Sequence, residues 1–166
     1  MSFAALALAF CAAVTVHNVE EALFLPAWSR SAARFHAPVW AFEFRFAVAA
    51  LTLAAYACAA LAAAGSAVGG YLVCGYALAM AANAFVPHLV ATLALRRYAP
   101  GTATGVLLNL PIGVALIAAA AAEGRIAWPT FLWAGPATMV ALLAGIPALL
   151  ALGRAWSRRL SARQSC

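Results

Sequence analysis

A histidine followed at three and four residues by paired glutamates, His17-Asn18-Val19-Glu20-Glu21, interrupts the first long apolar run of a chain with only four acidic residues. An ionisable group at the centre of a membrane helix costs roughly 2.5–3.5 kcal/mol on insertion scales, so such groups need a partner or a purpose. At about 100° per residue, Glu20 and Glu21 flank His17 within an arc of about 100°, and all three side chains can line one helix face. Asn18 sits at the edge of that face, placed to hydrogen-bond within the cluster or to another helix. Imidazole beside carboxylate suits two chemistries, ligation of a divalent metal and proton transfer by a buried acid.

A second polar set surrounds a proline. Asn83 and His88 bracket Pro87, which cannot donate to the carbonyl of residue 83 and bends a helix there. A freed carbonyl beside an imidazole opens a polar pocket. The structural alternative is that Asn83 bonds a neighbouring helix while His88 is a satisfied interior histidine.

These groups must be carried by membrane helices. The chain has 166 residues, 67% hydrophobic and 8% charged, with a mean hydropathy of +0.98, outside the range of soluble domains. Five runs can cross a hydrocarbon core, which takes about 20 helical residues: Phe3–Leu25, Phe42–Ala64, Gly70–Leu95, Thr102–Ala122 and Thr130–Leu152. They fill nearly all of residues 1–166, so the expectation is an all-α, polytopic membrane bundle forming a single domain. The first run has no basic segment before it and continues through Leu23-Phe24-Leu25, which favours a retained helix over a signal peptide.

Arginines orient the bundle. Arg30, Arg34, Arg96, Arg97, Arg154, Arg158, Arg159 and Arg163, with Arg45 nearby, fall on one side, and Arg125 alone on the other. The positive-inside rule then puts the amino terminus outside and the carboxy terminus in the cytoplasm, as in a multi-pass protein of a bacterial inner membrane. The net charge of +6 reads as topology and contact with anionic lipid, so nucleic acid is set aside as a partner. Trp28, Trp40, Trp128 and Trp156 at helix ends fit an aromatic belt. Cys11, Cys58, Cys74 and Cys166 show neither disulfide nor zinc-knuckle spacing. The many small residues permit close helix contacts and leave room for a homo-oligomer.

Depth gathers the polar residues. Measured from the cytoplasmic helix ends at 1.5 Å per residue, Glu21 lies about 6 Å inward, Glu43 about 8 Å, and His88 and Asn109 about 10 Å. Groups from four helices thus share one layer, with Asn18, Asn83 and Tyr98 as further pocket candidates. Glu43 and Arg45 point in different directions on their helix; snorkelling is the simpler account of Arg45, and Glu43 is a candidate extra ligand. His36 reads as a solvated loop residue.

His17-Asn18-Val19-Glu20-Glu21, the segment Asn83-Ala84-Phe85-Val86-Pro87-His88, and Tyr98-Ala99-Pro100-Gly101 with Thr104 and Pro111 occur in the order of a known pattern. On these motifs the chain resembles the uncharacterised bacterial integral membrane proteins named for a His-x-x-Glu-Glu motif. The resemblance implies a polytopic membrane protein with a polar site and supplies no reaction.

Four functions are weighed. In the first, His17, His88 and Glu21 hold one zinc, iron or manganese ion, with Glu20 as fourth ligand or general base, and the enzyme hydrolyses or oxidises a lipophilic small molecule from the bilayer. A dinuclear ferritin-like site needs more carboxylates than are present. In the second, the same Glu/His cluster works without metal as an acid–base isomerase or cyclase on a lipid or isoprenoid. A proton-coupled carrier is the third, although the outer helix halves offer no polar route. The fourth is a purely structural polar layer.

Overall fold

The computed structural model describes residues 1–32 and 38–164, and every regular element among them is helical. Five helices are long and apolar enough to cross a membrane: α1 Phe3–Ser31, α2 Ala41–Ala63, α3 Ala67–Leu95, α4 Thr102–Ala122 and α5 Trp128–Gln164. Arg34, His36 and Cys166 lie outside the described residues. Cys11, Cys58 and Cys74 are free thiols.

Two helices outrun their apolar stretches. The sequence places the end of α1 at Leu25, yet the helix passes through Pro26 to Ser31. Proline has no N–H for the carbonyl four residues back. That carbonyl, on Ala22, instead accepts a 3.1 Å hydrogen bond from Arg45 Nε on α2, so Arg45 does more than snorkel. Helix α5 likewise continues past Leu152 to Gln164, because its arginine-rich last turns form backbone hydrogen bonds as readily as apolar ones.

Helix α3 breaks where Pro87 predicts. Val86 has φ −127° and ψ 115°, the extended conformation into which a following proline forces its neighbour. Around the break the helix widens into π-type turns over Ala84–Leu89, and α4 carries a similar wide turn over Gly105–Asn109. These two wide turns pack together, and the second also meets α1. Wide turns of this kind often mark functional sites.

Helix α1 is the most enclosed of the five, while α5 lies against α2 and α3 on the outside. Phe10, Val14, Val73, Cys74 and Leu116 are fully buried in an apolar core. Apolar burial contributes about 25 cal/mol per Å2 when taken from water, but between helices in lipid the close fit itself does the work. At one end of the bundle Phe3 N–H donates to Glu123 Oε1 at 2.7 Å. At the other, Arg97 Nη1 reaches Ser31 Oγ at 3.1 Å, joining the α1 terminus to the α3–α4 connection beside the polar cluster.

Candidate metal centre

Two helices bring three side chains to one buried point. His17 and Glu21, one turn apart on α1, face His88, which the break in α3 carries inward. His88 Nε2 lies 3.0 Å and His17 Nε2 3.7 Å from Glu21 Oε1. One ligand atom from each of these residues falls within 4.8 Å of the others, and all three residues are buried. The two rings stand edge to face, 84° apart with centroids separated by 5.2 Å. Two ligands about 2.1 Å from a shared ion span distances of this order.

A hydrogen-bond chain fixes the ring of His17. Thr104 Oγ donates to Glu20 Oε2 at 2.7 Å, which commits its one hydrogen, so at 2.9 Å from His17 Nδ1 it accepts. The proton of His17 therefore sits on Nδ1, and Nε2 turns a lone pair toward Glu21 and His88. Asn83 Nδ2 lies 3.3 Å from His17 Nε2 and 3.0 Å from His88 Nε2. If its two hydrogens satisfy both rings, Glu21 Oε1 faces a lone pair of His88 at 3.0 Å. Two acceptors at that distance repel unless a proton or a cation sits with them.

Glu20 and Glu21 do not share a wall. Glu20 accepts from the Tyr98 hydroxyl, from Gly101 N–H at 3.0 Å and from Thr104 at 2.7 Å. Three donors offset the cost of enclosing a carboxylate, and Glu20 is no member of the three-residue ligand group. The one-face expectation thus divides: adjacent helical residues diverge by about 100°, and the α3–α4 connection captures one of them. Burial, and then the hydrogen bond it gives Glu20, push the Tyr98 phenol above its ordinary value.

Gly101 holds both imidazoles in place. Its φ is +91°, and a Cβ there would stand 2.7 Å from His88 Cε1 and 2.9 Å from His17 Cε1. Only glycine lets the backbone approach so closely in this conformation. The neighbouring Thr102 hydroxyl is shared between the carbonyls of Ala99, at 2.7 Å, and His88, at 3.2 Å, which ties the connection to the broken part of α3.

The remaining candidates separate. Asn18 turns to α2, donating to Thr52 Oγ at 2.7 Å and Val48 O at 3.3 Å. Asn109 is wholly buried in the wide turn of α4, and neither polar atom of its side chain has a partner among the described residues. Glu43 faces Arg154 at 3.5 Å and belongs to no ligand group among the described residues. Thr104 and Gly101 entered the sequence reading only through the family pattern. Their one local signal is the run Gly101-Thr102-Ala103-Thr104-Gly105, a glycine and hydroxyls opening a helix, which by itself reads as a cap.

A family described as "Protein of unknown function with HXXEE motif" matches residues 8–116, a span that holds the whole cluster. The chain is also similar to the "Uncharacterized protein YrkK" of Bacillus subtilis (strain 168), with 38% identity over 146 residues covering 87% of this chain and 92% of that protein. No solved structure matches.

Proposed function

We propose that this chain, which belongs to the family of proteins of unknown function with an HXXEE motif, is a membrane-embedded enzyme whose His17, His88 and Glu21 hold one divalent cation beside a cavity for a lipophilic substrate. The convergence of two imidazole nitrogens and a carboxylate oxygen within 4.8 Å, in a buried place, carries this reading. Zinc, iron and manganese all accept such a donor set with positions left open. When bound, the ion would supply Lewis acidity or an activated oxygen ligand.

The protein's own groups have separate tasks. Glu21 brings the negative charge that balances the cation. Glu20 acts through Thr104, holding His17 with Nε2 inward, as a carboxylate commonly does for a metal-bound histidine. A cavity of about 180 Å3 meets the cluster at His17, Glu21 and Asn83 and is otherwise mostly apolar, which suits a substrate drawn from the bilayer. By the positive-inside rule the cluster sits toward the cytoplasmic leaflet. The apolar core around Phe10, Val14 and Leu116 favours an enzyme over a proton-coupled carrier.

Elemental analysis of protein purified without added metal tests the proposal. The expected result is about one equivalent of zinc, iron or manganese per wild-type chain, lost in folded His17→Ala/His88→Ala protein. Metal-free wild type that still turns over substrate in chelator would transfer the function to acid–base chemistry between Glu21 and His88, whose 3.0 Å contact already suits proton exchange.

A further inference from the structure

The cavity carries a polar feature that metal binding does not use. It lies between α1, α2, α3 and α5, with His17, Asn18, Glu21 and Asn83 at its polar end and Leu51 and Ile146 among its apolar walls. The direction of the Asn18 amide is fixed by its partners. Thr52 Oγ donates to Val48 O at 2.8 Å, so it accepts from Asn18 Nδ2 at 2.7 Å. Val48 O accepts from the same nitrogen at 3.3 Å. Both partners are acceptors, which turns Asn18 Oδ1 the other way, with no hydrogen-bond donor given to it by the described residues.

An acceptor at the polar end of an otherwise apolar cavity selects for a ligand that brings a hydrogen. A carboxylate, which is an acceptor only, would meet Asn18 Oδ1 with no hydrogen between them, and an ammonium would lose its hydration among hydrocarbon walls. Esters and ketones have no hydrogen to give. An apolar cavity of about 150 Å3 holds a benzene, so a cavity of about 180 Å3 takes about six to eight carbon-sized atoms. Leu143, which is 52% exposed on the bundle surface, also lines it and offers an exit for the rest of a longer chain.

We propose that this cavity binds the hydroxyl end of a long-chain alcohol: Asn18 Oδ1 accepts the O–H, the first carbons fill the space between α2 and α5, and the tail leaves past Leu143 into lipid. This names the substrate class of the site proposed above and rests on that enzyme reading for its function, but not for its binding.

Fluorine NMR on the full chain in nanodiscs, with empty nanodiscs as the blank, tests it using 6-fluorohexan-1-ol and 1-fluorohexane. Saturable binding of the alcohol, at least tenfold tighter than the alkane, is expected. Asn18→Leu should remove that preference while the alkane still binds, and Ala47→Phe, which fills the cavity without touching a polar contact, should remove both. Equal binding of the two wild-type ligands overturns the proposal with no variant needed, as does an unchanged preference in Asn18→Leu. Running each titration in chelator separates the two readings. Alcohol binding to protein that never held metal supports this inference while the metal centre fails; a loaded centre without alcohol binding does the reverse.

Discussion

Glu20 and Glu21 are neighbours in the chain, but their side chains diverge by about 100° around α1 and take different partners. Glu21 Oε1 lies 3.0 Å from His88 Nε2, while Glu20 Oε2 accepts a 2.7 Å hydrogen bond from Thr104. The two acidic positions of one motif are therefore unequal, and their substitutions should differ in kind. Glu21→Gln removes a charged ligand and should abolish stoichiometric metal binding. Glu20→Gln and Thr104→Val leave the three ligands in place, act on the metal through the orientation of His17, and should weaken binding about 10- to 100-fold, with Thr104→Ser keeping it near wild type. Chelator competition reads the affinities, and nitrogen-15 NMR of His17 reads the loss of the Nδ1–H form. Equal losses for Glu20→Gln and Glu21→Gln would show that both are ligands.

Gly101 admits no side chain. Gly101→Ala places a methyl within 3 Å of both imidazole Cε1 atoms at a φ of +91°, combining overpacking with an unfavourable backbone conformation. Each costs about 1–3 kcal/mol. Thermal unfolding should fall accordingly, and the metal affinity of the remaining folded protein should fall with it. Gly124, also at positive φ but with open space around its Cβ position, is the control and should lose stability without losing metal.

Tyr98 gives the protein a pH signature at the edge of the site. Burial and its hydrogen bond to Glu20 raise the phenol, so the neutral form is favoured in the folded state. The stabilisation is complete below the ordinary tyrosine value of about 10 and disappears as pH rises through the raised one. Phenolate absorbance, with Tyr98→Phe subtracted, should show one tyrosine titrating late. Glu20→Gln should bring it earlier. A Tyr98 titration unmoved by Glu20→Gln would break the link.

Arg45 and Pro26 should be coupled. The arginine serves the Ala22 carbonyl that proline leaves without a helical donor. Arg45→Met in the native chain exposes that carbonyl and should cost about 1–3 kcal/mol. In a Pro26→Ala background the helix supplies its own N–H, and the same substitution should cost markedly less. A double-mutant cycle in chemical denaturant measures the difference.

The resemblance to the HXXEE pattern and the bundle itself were legible in the chain because both are written in local terms. Membrane helices announce themselves by length and apolarity, and five runs became five helices. Pro87 marked the break in α3 because a proline disrupts a helix wherever it stands. Rise per residue put Glu21, Glu43, His88 and Asn109 in one layer, which depth alone can do.

Lateral position was beyond such reasoning. Which residue of a layer touches which depends on helix order and rotation, and these follow from packing across the whole bundle. Only the fold could send Glu43 to Arg154 and Asn18 to Thr52, and only the α3–α4 connection could take Glu20 from the face it shares with His17. The extension of α1 through Pro26 depended on an arginine from another helix. Sequence determined which groups exist and how deep they lie; tertiary contact decided which lone pairs converge.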